Sequence, residues 1–179
     1  MNMVTAFLGL GSNMGDSVST LMRAVRALHQ FPSISIVQVS SLIQTSAQGP
    51  DGAFIKQPDY INGVCHIQTS QSPLELLHTT QQIEIQYGRL SKGDYQSRSL
   101  DIDILMFGDL SMQTPSLTIP HPRMHMRDFV LFPMFEIAPD VIHPIFHQTI
   151  QMLRDTYRKS HVSTVSNVRD QPTYTHYSQ

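Results

Sequence analysis

Two aspartates set one residue apart are the chemically most pointed feature of this chain. They lie in Arg98-Ser99-Leu100-Asp101-Ile102-Asp103-Ile104-Leu105-Met106. Strand alternation sends Leu100, Ile102, Ile104 and Met106 to one face and Asp101 and Asp103 to the other, with Cα atoms of the pair ~6.6 Å apart. Two carboxylates so placed repel each other. A pair of divalent cations ~3.5–4 Å apart relieves that repulsion and clamps a phosphate chain, and all-oxygen donors favour magnesium or manganese over zinc. The plain alternative is an exposed strand face carrying two solvated aspartates, and the motif alone does not separate the two. The basic residues weigh on the first side: Arg89, Lys92, Arg98, Arg123 and Arg127 gather five of the chain's twelve Lys and Arg around the aspartates. Cations around a carboxylate-held metal are the equipment of phosphoryl transfer, where positioning and charge neutralisation supply most of the acceleration.

Other chemistry-bearing residues divide less evenly. His121 stands between Pro120 and Pro122, which restrict the backbone and aim the imidazole, so it can donate to a phosphate oxygen. His121/His125 and His143/His147 have the four-residue spacing of zinc ligands on a helix, but prolines lie just inside both pairs and no HExxH accompanies them. Gly9-Leu10-Gly11-Ser12-Asn13-Met14-Gly15 is neither GxGxxG nor a P-loop, and reads as a tight strand-to-helix turn. Tyr60 and Phe129 each read as core aromatics alone; together they can sandwich a flat heterocycle.

The elements that must position these residues follow from periodicity. Val4, Ala6, Leu8 and Leu10 predict a first strand, and Asp16 a helix N-cap. Val18, Leu21, Met22, Val25 and Leu28 predict an amphipathic helix stopped by Pro32. A second strand is expected over 34–43, a polar loop over 45–60 and a third strand over 60–67. Ser72, Pro73 and Glu75 form a capping box for a second helix, with Leu76, Thr80, Ile83 and Tyr87 as its core face. Strand 100–107 and helix 128–138 complete an α+β, ferredoxin-like βαββαβ sandwich with a C-terminal extension. One domain is expected over 1–160, and a polar tail over 161–179. Many activities use that order of elements, so it does not specify one.

Composition sets outer limits. At 179 residues the chain holds one domain with a full core. Its 40% hydrophobic and 15% charged residues suit a globular fold, not disorder. A net charge of −2 argues against nucleic-acid or anionic-membrane binding, which needs a positive excess. The one cysteine, Cys65, makes no internal disulfide, and no cationic leader or ~20-residue apolar run is present, so a cytoplasmic protein is expected.

Four ordered segments together resemble the 6-hydroxymethyl-7,8-dihydropterin pyrophosphokinases of folate biosynthesis. They are Gly11-Ser12-Asn13-Met14-Gly15-Asp16; Gln57-Pro58-Asp59-Tyr60-Ile61-Asn62; Arg98 with Leu100-Asp101-Ile102-Asp103; and Pro120-His121-Pro122-Arg123-Met124-His125 with Arg127-Asp128-Phe129-Val130-Leu131. The resemblance implies transfer of pyrophosphate from ATP to the pterin hydroxymethyl group, with release of AMP, by a monomer. It implies that Asp101 and Asp103 hold two magnesium ions and act in catalysis with Arg89 and Arg98. Arg89, Arg98, His121 and Arg127 would contact phosphates, while Gln81, Glu84, Lys92, Ile104, Thr118 and Pro122 would line the nucleotide site. Tyr60 and Phe129 would stack on the pterin, with Thr45, Ser46, Asn62 and the loop aromatic Tyr95 completing its pocket.

Some positions depart from the family pattern: Ser91 replaces a second arginine, Gln96-Ser97 replaces Gly-Pro, and Thr45-Ser46 replaces Thr-Pro. They motivate one rival, a divergent paralogue that binds pterin or nucleotide and turns over poorly. The rival from another class is a ferredoxin-like RNA-binding module, whose phosphate ligand an acidic strand face would repel.

Overall fold

The structure is a computed structural model describing residues 2–47, 56–87, 99–160 and 166–167. Its sheet is built from β1 (Val4–Ser12), β2 (Ile34–Val39), β3 (Ile43–Thr45), β4 (Tyr60–Thr69), β5 (Asp101–Phe107) and a two-residue strand within the expected tail. β1 pairs antiparallel with β4 on one side and β5 on the other; β2 and β3 share the far edge of β4. With β2 and β3 taken as one broken strand, the spatial order is 4-1-3-2, the ferredoxin-like arrangement expected from sequence. A small hairpin, β6 (Met112–Gln113) and β7 (Thr118–Ile119), follows β5.

Helices cover both faces of the sheet. On one side α1 (Ser17–His29) and α2 (Pro73–Gln86) bury Leu21, Val25, Leu28, Leu76 and Ile83 against Leu8, Leu10, Ile67, Ile102 and Ile104. Asp16 caps α1, its carboxylate accepting from Ser19 N at 3.0 Å. The capping box on α2 forms as read: Ser72 Oγ accepts from Glu75 N, and Glu75 Oε2 from Ser72 N. On the other side α3 (Asp128–Ile137) and α4 (Ile150–Ser160) bury Val130, Leu131, Met134, Ile150 and Leu153 against Phe7, Val64, Leu105 and Met106. The expected C-terminal extension is thus a second helical layer. The periodicity reading did not find α4, whose buried residues are only Ile150 and Leu153.

Two expectations are corrected. Met106 does not share a face with Ile102 and Ile104: the register against β1 slips between Phe7 and Leu8, so that Leu105 is inserted as a bulge. One extra residue turns both Leu105 and Met106 toward α3 and α4. The second strand does not run on to Ile43 but breaks over 40–42. Ser40 replaces ladder pairing with a local clasp in which its Oγ accepts from Val64 N at 2.8 Å and its N donates to Val64 O at 2.9 Å. Leu42 then fills the space over Gly63, where a Cβ would come within 2.7 Å of its Cδ2.

Candidate active site

The sheet lays the proposed ligands out as a row. Ile43, Asn62, Gly11 and Asp101 are in register across β3, β4, β1 and β5. Two strand spacings separate Asn62 from Asp101, about 10 Å between backbones. Gly11 is the bare floor between them: a Cβ there would meet Asn62 Oδ1 at 3.1 Å and Asp101 Cβ at 4.0 Å. Sequence reasoning treated Gly11 as turn chemistry, and only the pairing of β1 with both neighbours reveals its place. Asp103 follows on the same face, opposite Gly9.

The carboxylate end is held from three directions. Behind it, buried Glu84 of α2 directs Oε1 at the backbone of β5, accepting from Ile102 N at 2.8 Å. β5 is the sheet's outer strand, so this carboxylate takes an edge donor lying between the two aspartates. Glu84 therefore bears on the aspartates through the strand that carries them. From the front, His121 Nε2 and an Arg127 guanidinium nitrogen each stand 3.8 Å from Asp103 Oδ2. His121 is fixed by its backbone, whose N donates to Leu105 O at 2.8 Å, and by Nδ1, which accepts from Arg123 N at 3.2 Å. That acceptor role leaves the proton of the neutral ring on Nε2, aimed at the carboxylate. Burial first, then the charges of Arg127 and Arg123, push its pKa down to about 4, so the ring is a neutral donor at pH 7.

Neutral hydrogen bonds order the opposite end. Asn62 Nδ2 donates to Thr45 Oγ1 at 2.9 Å, both residues being buried. Tyr60 lies opposite Thr45 at the start of β4, and Phe129 in the first turn of α3, which packs across β3 and β4; both aromatics are half-buried. Ser46 is exposed beyond β3. Ser41, in the break before β3, gives its N–H and hydroxyl to Glu136 of α3 at 2.9–3.1 Å, a clamp that sequence reading missed because the partners lie far apart in the chain. Arg127 joins the ends, its guanidinium lying 5.3 Å from the Phe129 ring centroid.

The remaining expected nucleotide residues scatter. Gln81 is half-buried on α2 and Thr118 half-buried on β7; Pro122 is exposed. Ile104 points into the core beneath α1 and α2, on the face opposite the aspartates. Arg89, Ser91, Lys92, Tyr95, Gln96, Ser97 and Arg98 lie outside the described residues. A separate groove of about 530 Å³, lined by Met14, Asp16, Gln44, Pro58, Asp59 and others, opens at the start of α1 and includes neither Asp101 nor Asp103.

The donor set fits hard divalent cations. Asp101 and Asp103 are both half-buried, and the Asp103 side chain is 40% exposed to solvent. Among the described residues no three His, Cys, Asp or Glu form a metal-holding group. A cation held here would need its other ligands from substrate phosphates and water, which is the habit of magnesium.

The chain is similar to proteins of known family. The family model for 7,8-dihydro-6-hydroxymethylpterin-pyrophosphokinase (HPPK) matches residues 7–139. The chain is 42% identical over 142 residues to the Haemophilus influenzae 2-amino-4-hydroxy-6-hydroxymethyldihydropteridine pyrophosphokinase, covering 79% of this chain and 86% of that one. It is 37% identical to the Aquifex aeolicus protein of the same name, covering 83% and 89%. Among solved structures, a wild-type Plasmodium falciparum HPPK-DHPS superposes with a TM-score of 0.67 at 16% identity, covering 89% of this chain. That likeness supports the fold, and this chain spans 44% of the Plasmodium chain. Matched over most of its length by the family model and by relatives at this identity, the chain belongs to the HPPK family, the 6-hydroxymethyl-7,8-dihydropterin pyrophosphokinases.

Proposed function

We propose that this chain transfers the β,γ-pyrophosphoryl group of ATP to the hydroxymethyl oxygen of 6-hydroxymethyl-7,8-dihydropterin. The observation that carries the reading is the in-register floor, with Asp101 at one end, Asn62 and Thr45 at the other and Gly11 bare between. The hydroxyl oxygen forms a bond to the β-phosphorus, the bond from that phosphorus to the α-phosphate oxygen breaks, AMP departs, and the hydroxyl proton is lost. Asp101 and Asp103 would hold two magnesium ions, which supply charge neutralisation along the triphosphate. His121 offers its Nε2 proton to a phosphate oxygen, and Arg127 brings a fixed positive charge. Asn62 and Thr45 read the hydrogen-bonding edge of the pterin, and Tyr60 and Phe129 stack on its faces. A primary alcohol is a weak nucleophile, so holding it in line with the β-phosphorus is the floor's main contribution.

We infer a monomer as the working unit. Among the described residues no helix is long and apolar enough to cross a membrane. Burial pushes the Cys65 thiol up to about 12, which leaves it inert.

The deciding experiment follows AMP release from ATP with magnesium and the hydroxymethyl dihydropterin. Stoichiometric AMP and pterin pyrophosphate support the reading. Binding of both substrates without AMP release assigns the chain to the divergent, non-turning-over class instead.

A further inference from the structure

The described part of the C-terminal tail, Ser166–Asn167, forms β8, an antiparallel strand on the free edge of β3. Asn167 lies opposite Ile43 and Ser166 opposite Gln44, immediately beside Thr45. β3 has only three residues and is isolated from β2 by the break over 40–42. β4 holds one of its edges and β8 the other. So short a strand, paired on one side alone, is marginally stable.

The base of the tail is firmly seated. α4 buries Ile150 and Leu153 in the second core cluster, and Arg154 sets its guanidinium 3.5 Å from the ring centroid of Phe135 on α3. From Ser160, at ~3.3–3.6 Å per residue, the chain reaches at most ~20 Å to Ser166. One continuous segment therefore links α3, which carries Phe129, to the outer edge of the strand that carries Thr45. The family match ends at residue 139, so this link lies beyond it.

We propose that β8 is a positioning strap: by pairing with β3 it fixes the hydrogen bond between Thr45 and Asn62 in its pterin-binding geometry. Its effect falls on the pterin and not on ATP, because the aspartates lie at the opposite edge of the sheet. The inference rests on reading Thr45 and Asn62 as pterin contacts.

A full-length Ser166→Pro/Asn167→Pro double variant removes the ladder donors of β8 while leaving α4 intact. The expected result is a pterin KM raised about three- to tenfold, the scale of a displaced hydrogen bond, with the ATP KM and kcat unchanged. Alongside it, hydrogen exchange on the wild-type protein reads amides 43–45, which should be protected on both edges of β3. Exchange of the outward amides at the unprotected rate overturns the strap without reference to activity. Thr45→Val, which removes the hydroxyl, is the internal control. If it leaves pterin affinity unchanged, the pterin-site reading fails. If it weakens binding while the proline variant keeps wild-type affinity, the strap fails.

Discussion

The two ends of the site are built on opposite physical terms. At β5 the groups are acidic and basic: two carboxyl groups on the face, a third gripping the strand from behind, and in front a guanidinium cation and a neutral imidazole. At β3 and β4 they are neutral, a buried amide-to-hydroxyl hydrogen bond flanked by aromatics. Under the proposed function the first end would take the phosphates, and the second would read a flat heterocycle by its edge and faces. Gly11 keeps both apart from each other and close to whatever spans them.

The sharpest break in that contrast is removal of a carboxylate. Asp101→Ala or Asp103→Ala should each lower kcat by at least about a hundredfold, since electrostatic stabilisation of the transferring group carries most of the rate. Pterin affinity should barely move in calorimetry, and comparable losses of turnover and pterin binding would erase the division of labour.

Glu84 tests the support of that end. Glu84→Leu leaves Ile102 N buried without its acceptor, at a cost of about 1–3 kcal/mol in unfolding free energy. Turnover should fall with it. Glu84→Gln, which keeps an oxygen toward the strand, should recover most of both. Chemical denaturation and kcat on the two variants decide whether the hydrogen bond or the charge matters.

The aromatics sharpen the comparison from the other side. Tyr60→Ala should weaken pterin binding by about three- to tenfold, from the 0.5–1.5 kcal/mol that ring stacking adds beyond burial, and should leave the ATP KM alone. Phe129→Ala should do the same to the pterin and also shift the ATP KM, because it releases Arg127 beside Asp103. Identical ATP behaviour in the two variants would remove the link between the ends.

The smallest effect concerns pH. The pKa values of His121 and His143 are lowered from 6.5 to about 4, for both chiefly by burial. The unfolded chain therefore binds protons more readily through that interval, so stability is fully present above about 6.5 and declines as pH falls toward 4. Thermal melts between those limits should show a decline that shrinks in His143→Gln. ATP affinity should stay level from pH 8 to 6, because His121 remains a neutral donor throughout.

Much of the framework was legible because it is written locally. Ser72, Pro73 and Glu75 specify a helix start within four residues, and the Asp101/Asp103 alternation needs only a strand. What escaped depends on partners distant in sequence. The turn of Met106 toward the second core follows from a bulge defined against β1. The break over 40–42 follows from Ser40 meeting Val64 and from Ser41 meeting Glu136. Glu84 was expected along the nucleotide site, but its grip on the backbone of β5 shows only once that strand is laid beside it. The aspartates, His121, Arg127, Tyr60, Asn62 and Phe129 were visible as residue types. The row that joins Asn62 to Asp101 through Gly11 was not, because registers across three strands are settled by tertiary packing.

The carboxylate behind β5 also bears on how the protein behaves in company. An outermost strand offers its unpaired backbone groups to any other chain, and such edges seed intermolecular sheets. Here the N–H between the two aspartates is already taken, and the group that takes it is an acid buried under a helix. A second copy approaching that edge would meet both an occupied donor and two further negative charges. The acids proposed to hold cations at this strand thus also make it a poor template for aggregation.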